Sequence, residues 1–276
     1  MGFNSQIDKS SLHCDRLNGM MRTMNKRRAV IFSILLFFIT MQVFAFQFSP
    51  LEQEFASSGA NSTKTYTIVN DSNDTIAIEI TALVRDLDVN GKEVNKSAST
   101  MFSIVPSKIL MKPQSQQIVR VQYRGPQMLP TEAAYRIRAE QLSYTQGRAT
   151  EGQSMFNFLY VYTTSAYVSP TRVLERIVVD QVTPKITSDG RKVMAITVSN
   201  TGTVHQILNS VSVEVIENAS RNSILYESGA LGFLNGLNLL AGKTVTVEAV
   251  WPDTLAFPTK LTDAYKQYSA KITYNK

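Results

Sequence analysis

Short segments in which apolar and polar residues alternate run through most of the chain, with turn residues between them. An apolar residue at every second position is the period of a β-strand, and no stretch keeps the 3.6-residue period of a helix. The clearest segments are residues 64–69, 75–84, 116–123, 134–142, 155–162 and 192–198. Such a series of short strands is typical of antiparallel sandwiches. The pattern predicts an all-β fold.

The strand pattern stops and restarts around residues 168–171, which read Val-Ser-Pro-Thr. The segments on either side are each long enough for one immunoglobulin-like β-sandwich. We therefore expect two such domains, residues 46–169 and residues 170–276.

Residues 24–45 have the organisation of a signal peptide. Three basic residues at 26–28 precede an apolar stretch at 29–39, and cleavage is expected after Ala45. A membrane anchor is the alternative, but the apolar stretch is shorter than the ~20 residues that a spanning helix needs. The sequence leaves open whether translation starts at Met1, Met20, Met21 or Met24. The chain is therefore expected to be exported across the inner membrane, and residues 1–45, which we call the leader, are expected to be absent from the mature protein.

The composition is that of an ordinary globular protein, with 43% hydrophobic and 18% charged residues. The net charge of +6 comes mostly from the leader, which holds six of the 28 basic and two of the 22 acidic residues. The remaining chain has 22 basic and 20 acidic residues, too little imbalance to indicate nucleic-acid binding. The single cysteine, Cys14, also lies in the leader, so the exported chain is expected to have neither a disulfide nor a cysteine nucleophile.

Residues 86–91 (DLDVNG) match the start of a calcium-binding loop. The twelfth position of such a loop needs an acidic residue and is Ser97 here, so a type I′ hairpin turn at Asn90-Gly91 is the better interpretation. His205 is the only histidine after the leader and has no partner residues at catalytic or metal-ligand spacing; its role stays open. We expect no enzymatic activity, no cofactor and no metal site.

Three segments resemble the periplasmic chaperones that assemble pili, or fimbriae, by the chaperone–usher pathway. They are residues 106–123 (PSKILMKPQSQQIVRVQY), 132–142 (EAAYRIRAEQL) and 155–170 (MFNFLYVYTTSAYVSP). Their order and spacing fit that family, and the resemblance extends over residues 46–276. It is firmer in the first domain.

The resemblance implies a function in the periplasm. A fimbrial subunit is a sandwich that lacks its last strand and therefore exposes an apolar groove. The chaperone binds and stabilises the subunit by lending a strand, and delivers it to an outer-membrane usher. The partners implied are fimbrial subunits and the usher, with the identity of the subunit left open.

Residues 155–162 would be the donor strand, which is apolar on both faces. Counting back from Pro170 by resemblance, the donated side chains would be Phe156, Phe158 and Tyr160, and Tyr162 lies on the same face. A strand buried on both faces within its own sandwich is the alternative. Exposed aromatic residues on this strand would favour self-association of the free protein, or local disorder.

The best-studied branch of the family anchors the subunit's terminal carboxylate with an Arg and a Lys. The corresponding positions here are near Glu52 and at Ser165, so that anchor does not carry over. The chain is closer to the archaic and alternative branches, which have an Arg after the Tyr of the second segment. We expect Arg136 to be one anchor and Arg120 or Arg124 to be the second, since two guanidinium groups can hold one carboxylate.

The alternative function is a secreted structural subunit of a pilus, or an adhesin. Tyr274 lies close to the end of the chain, as in many pilins. Two apparently complete domains and the lack of an alternating arm after Ala45 favour the chaperone.

Overall fold

The computed structural model describes residues 46–143 and 159–276, and residues 1–45, where the signal peptide is expected, lie outside these ranges. Within them the chain is built from strands, with four short 3₁₀ turns at Ala60–Ser62, Ser228–Ala230, Gly232–Leu234 and Ala264–Gln267. The prediction of an all-β fold with two immunoglobulin-like sandwiches is confirmed.

Ten strands precede Pro170. They are β1 (Gln47–Ser49), β2 (Glu52–Phe55), β3 (Thr63–Asn70), β4 (Ile76–Leu87), β5 (Glu93–Ser97), β6 (Phe102–Val105), β7 (Lys108–Met111), β8 (Ser115–Tyr123), β9 (Ala133–Leu142) and β10 (Val161–Val168). One sheet has the order β1-β3-β8-β6. The other has the order β2-β10-β9-β4-β5, with β7 also paired to β4, and we call it the front sheet.

Seven strands follow Pro170. They are β11 (Ile177–Ile186), β12 (Lys192–Asn200), β13 (Gln206–Glu217), β14 (Ser223–Tyr226), β15 (Leu237–Leu239), β16 (Thr244–Val250) and β17 (Tyr268–Asn275). One sheet has the order β11-β12-β16, and in the other β13 pairs with β14, β15 and β17. All strand pairing described therefore stays on one side or the other of Pro170.

Alternation along the strands explains the two cores. In β8, Val119, Val121 and Tyr123 are buried while Ile118 and Arg120 are exposed, so one face packs inward and the other meets solvent. The first core includes an aromatic cluster in which Phe102 makes edge contacts with Phe55, Tyr123 and Tyr135. A separate apolar cluster fills the second sandwich.

The hairpin between β4 and β5 is present, but its turn is not type I′. Among the loop residues only Gly91 has a positive φ, 74°, whereas a type I′ turn needs a positive φ at Asn90 as well. The Gly91 N–H donates to the Asp88 carbonyl at 3.0 Å, and the Asp88 carboxylate accepts the backbone N–H groups of Asn90 and Lys92. Asp88 thus caps the turn instead of contributing to a calcium loop.

Candidate functional site

Strand β10 has an edge that its neighbours cover only in part. On one side β9 pairs with Val161 to Val168, and a further bond joins the Gln141 N–H to the Tyr160 carbonyl. On the other side β2 runs parallel to β10 but pairs only with Ser165 to Val168. Within the described residues, no strand covers this side of residues 161–164. We call this stretch the open edge.

The side chains next to the open edge alternate between the core and solvent. Tyr160 and Tyr162 pack on the core of the first sandwich, and the Tyr162 ring meets Phe46 edge-on with centroids 4.7 Å apart. Leu159 and Val161 point away from the core, with exposed fractions of 46% and 47%. The face expected to be donated, at Tyr160 and Tyr162, is thus the inward one. Phe156 and Phe158 lie outside the described residues.

Arg136 lies on β9 directly opposite Ser165 of β10. Its guanidinium forms a fork on the Glu93 carboxylate, with Nε donating to Oε1 at 2.9 Å and Nη2 to Oε2 at 2.5 Å. The remaining nitrogen, Nη1, donates to the Ser165 hydroxyl at 2.7 Å. Arg136 therefore already binds a carboxylate, beside the point where the open edge ends.

A second arginine, Arg85 on β4, holds the same carboxylate. Its Nε donates to Glu93 Oε2 at 2.9 Å and its Nη1 donates to the Tyr167 hydroxyl at 2.8 Å. Only 8% of its side-chain surface is exposed, against 17% for Arg136. Arg85 and Arg136, which we call the arginine pair, make a two-cation site for one carboxylate.

The arginines expected beside Arg136 lie elsewhere. Arg120 is on the outward face of β8, in the opposite sheet, where its exposed side chain cannot share a ligand with the front sheet. Arg124 follows β8, is exposed, and donates to the Gln122 side chain. The structure brings neither residue next to Arg136, and its partner is Arg85, which sequence reasoning did not single out.

The two positions that the sequence resemblance relates to an Arg and Lys anchor, Glu52 and Ser165, are neighbours in the fold. Glu52 on β2 pairs with Ser165 on β10, and Arg136 is on the other side of Ser165. Arg136 thus lies one strand away from Ser165 and two strands away from Glu52, and Arg85 lies one strand further on.

The electrostatics favour an ionised carboxylate between the two arginines. Partial burial raises the pKa of Glu93, but hydrogen bonds from Arg136 and Asn95 and the charges of both arginines outweigh it and lower the pKa to about 2. The hydrogen bond to Glu93 is also the main reason why the pKa of Arg136 is raised.

Tyr167 connects this site to the second sandwich. Its hydroxyl accepts from Arg85 and from the Asn238 side chain, the latter at 2.8 Å. The Nδ1 atom of His205 lies 2.7 Å from the Glu132 carboxylate. His205 thus contacts Glu132 of the first sandwich as well as the Tyr167 ring.

The tip of the β4–β5 hairpin also reaches the second sandwich. The Thr246 N–H donates to the Val89 carbonyl at 2.8 Å, and Lys243 pairs with Asp86 at 2.6 Å. Phe233 packs on Gly91 so closely that a Cβ there would lie 2.5 Å from the ring. A side chain at this position would therefore require the Phe233 ring or the hairpin to move.

Residues 46–143 and 159–276 contain neither a cluster of metal-ligating side chains nor a helix that could span a membrane. No group of three or more His, Cys, Asp or Glu side chains is arranged to hold a metal ion there. Over the same part of the chain, no helix has the length and apolar character needed to span a membrane.

No protein-family model matches the sequence, and none of the curated proteins matches it. Solved structures do match the fold. A chain from the chaperone–tip adhesin complex of CFA/I fimbriae biogenesis is similar at 9% identity and a TM-score of 0.51, over 83% of this chain and 98% of that one. The class 5 fimbriae chaperone CfaA is similar at 10% identity and a TM-score of 0.50, over 84% and 100% of the two chains.

A chain from the CsuC–CsuE chaperone–tip adhesion subunit pre-assembly complex, from archaic chaperone–usher Csu pili of Acinetobacter baumannii, also matches. Its identity is 14% and its TM-score 0.51, over 77% of this chain and 90% of that one. At these identities the similarity establishes a shared two-sandwich fold.

Proposed function

We propose that this chain is a periplasmic chaperone that binds fimbrial subunits by strand donation and delivers them to an outer-membrane usher. The observation that carries the proposal is the open edge of β10 ending beside the arginine pair. This combination offers a backbone for strand pairing and, at the end of it, a site for a chain-terminal carboxylate. The fold that the chain shares with fimbrial chaperones supports the same proposal.

The open edge supplies the affinity that is independent of sequence. A subunit that lacks one strand exposes unpaired backbone groups, and pairing with residues 161–164 satisfies them. Main-chain hydrogen bonds of this kind tolerate many partner sequences. One chaperone of this type can therefore serve several related subunits.

The outward apolar side chains supply the filling for the subunit's groove. Leu159 and Val161 lie on the face of β10 that the domain's own core does not use. Along a strand, side chains on one face recur at every second position, so Asn157 and Met155 continue this set in the sequence. We assign the donated set to these odd positions and the core-packing set to Tyr160 and Tyr162.

The arginine pair sets the register. A terminal carboxylate accepts a fork from Arg136 and a second bond from Arg85, as the Glu93 carboxylate does. Charge-assisted forks fix orientation as well as adding binding energy. The subunit's last residue would then lie next to Ser165, which fixes which residues face Leu159 and Val161.

Co-purification from the periplasm of the native host tests the function. The tagged full chain is expected to carry a small secreted β-rich protein at close to one copy each, identified by mass spectrometry. A ladder of self-polymers would instead indicate the structural-subunit alternative. Recovery of the chain alone, from cells that express fimbriae, would contradict the proposal.

A further inference from the structure

The carboxylate site of the arginine pair is already filled by a residue of the same chain. Both Glu93 oxygens are engaged, Oε1 by Arg136 Nε and the Asn95 side-chain amide, and Oε2 by Arg136 Nη2 and Arg85 Nε. Arg136 Nη1 donates to the Ser165 hydroxyl and Arg85 Nη1 to the Tyr167 hydroxyl. An incoming carboxylate therefore cannot take the Arg136 fork, or the position shared by both arginines, until Glu93 leaves.

Glu93 can leave without unfolding anything around it. It is the first residue of β5, a short strand at the margin of the front sheet whose other residues are exposed. Its backbone partner is Leu87, and its side chain is 27% exposed. Rotation of the side chain alone releases the arginine pair, while the β4–β5 pairing stays in place.

The β4–β5 hairpin nevertheless keeps the Glu93 carboxylate near the arginine pair. Its turn is capped by Asp88, and its tip is attached to the second sandwich through Val89, Gly91 and Asp86. A group held next to its binding site has an effective concentration in the millimolar range or above. Free carboxylates in solution have to compete against that concentration.

We propose that Glu93 is an intramolecular competitor that closes the arginine pair to free carboxylates and admits a carboxylate only at the end of a strand added to the open edge. This inference rests on the proposed function for the identity of the occupant, but the competition is a property of this chain alone. Strand pairing with residues 161–164 supplies the additional binding that a small carboxylate lacks. Glu93 is thereby a specificity-determining residue of the site.

The low pKa of Glu93, about 2, supports the competition, because it means that the side chain is ionised throughout the physiological range. No change of pH in that range would remove the competitor. Displacement by a second carboxylate is then the way to free the pair.

Titration with sodium acetate, an untethered carboxylate, tests the inference on the whole exported chain. The readout is the arginine Nε–H signals in ¹⁵N nuclear magnetic resonance, assigned with Arg85→Lys and Arg136→Lys. In the wild type we expect no saturable shift of these two signals when sodium chloride at equal ionic strength is the reference. In Glu93→Gln we expect a saturable shift, half complete at an acetate concentration at least about tenfold below the highest one at which the wild type shows none.

Glu140→Gln is the matched control, because Glu140 pairs with Arg138 at 3.0 Å on the same face of the front sheet. It should leave the Arg85 and Arg136 signals and their acetate response as in the wild type. Glu93→Asp keeps the charge on a shorter side chain and should respond between wild type and Glu93→Gln. It also serves as the test if Glu93→Gln does not fold.

Equal acetate responses in the wild type and the Glu93 variants would overturn the inference, as would a Glu93→Gln chain that ignores acetate. Neither result depends on any fimbrial subunit. Co-purification from the periplasm tests the proposed function separately, so the two failures are distinguishable.

Discussion

The ring of Tyr167 stacks on the imidazole of His205, with centroids 4.0 Å apart and planes inclined by 13°. Tyr167 belongs to β10 and lies two residues beyond Ser165, while its hydroxyl accepts from Arg85. Tyr167 therefore belongs to the strand with the open edge, contacts the arginine pair, and takes part in the contact between the two sandwiches. The position of Arg85 depends on the second sandwich as well as the first.

Removing the Tyr167 hydroxyl tests this connection. Tyr167→Phe leaves the Arg85 and Asn238 donors without their acceptor in a site where Tyr167 is 1% exposed. We expect the free energy of unfolding in urea to fall by about 1–3 kcal/mol. Tyr226→Phe is the comparison, since its hydroxyl makes one bond, to the Val250 carbonyl. If Tyr167→Phe lowered the free energy of unfolding no more than Tyr226→Phe does, the role of Tyr167 in connecting the two sandwiches would be contradicted.

Arg136 is predicted to be necessary for capture of the subunit. Arg136→Ala removes the fork and should weaken capture by about 2–5 kcal/mol, so co-purification from the periplasm is lost while the chain stays folded. Arg136→Lys keeps the charge without the fork and should recover only part of the binding. Arg138→Ala, which breaks an exposed pair with Glu140, should behave as wild type. Unchanged capture by Arg136→Ala would remove Arg136 from the site.

The outward side chain of Val161 is predicted to enter the subunit's groove. Val161→Asp places a charge where an apolar contact is expected and should abolish co-purification, because an unpaired charge is costly to bury. Ile186→Asp is the control, as Ile186 is 48% exposed on β11 of the second sandwich and Val161 is 47% exposed. Both variants should melt close to the wild type. If the two captured equal amounts of subunit, the assignment of the donated face would be wrong.

Glu93 is predicted to make stability depend on pH in the acid range. Its pKa is lowered from 4.5 to about 2 in the folded chain, so the folded state favours the ionised form. The stabilisation is complete above the ordinary value and is lost as the pH falls from 4.5 towards 2. Solvent screens this partly exposed carboxylate, so the full effect on the free energy of unfolding is on the order of 1–3 kcal/mol.

Urea midpoints of the wild type and Glu93→Gln, measured from pH 6 down to pH 2, check this dependence. The difference between the two should shrink as the pH falls, because protonation turns the wild-type carboxyl into a neutral group like the amide. A difference that stays constant over this range would show that the charge of Glu93 contributes nothing to folding.

Much of the fold was predictable because apolar and polar residues alternate along several of the strand segments in the sequence. The segments expected at 64–69, 75–84, 116–123, 134–142 and 192–198 lie within or largely overlap β3, β4, β8, β9 and β12. In β3, β4, β8 and β9 one face is more buried than the other, and that difference is what a period of two records. Strand β12 differs, because consecutive residues Val193 to Ile196 are all buried and both of its faces are covered. The turn at Asn90-Gly91 was located correctly but not its type, since the choice depends on the Asp88 cap.

The candidate site was less predictable, for two physical reasons. Residues 159–162 are apolar on both faces, so the sequence does not say whether the odd-numbered or the even-numbered side chains point to the core. The partner of Arg136 depends on pairing between β4 and β9, which are about fifty residues apart in the chain. Arg85 lies beside the calcium-like residues 86–91, and nothing local marks it as the neighbour of Arg136.

The parallel pairing of β2 with β10 has a further consequence for length and direction. Because β2 occupies the edge from Ser165 onward, an added strand has room only alongside the residues before it and comes to a stop at Glu52. If its last carboxylate is to reach Arg136, the strand must run in the same direction as β10. If the chain captures strands as proposed, the four residues of its own β2 thus set where an incoming strand ends, so that the strand is aligned from its C-terminal residue backwards.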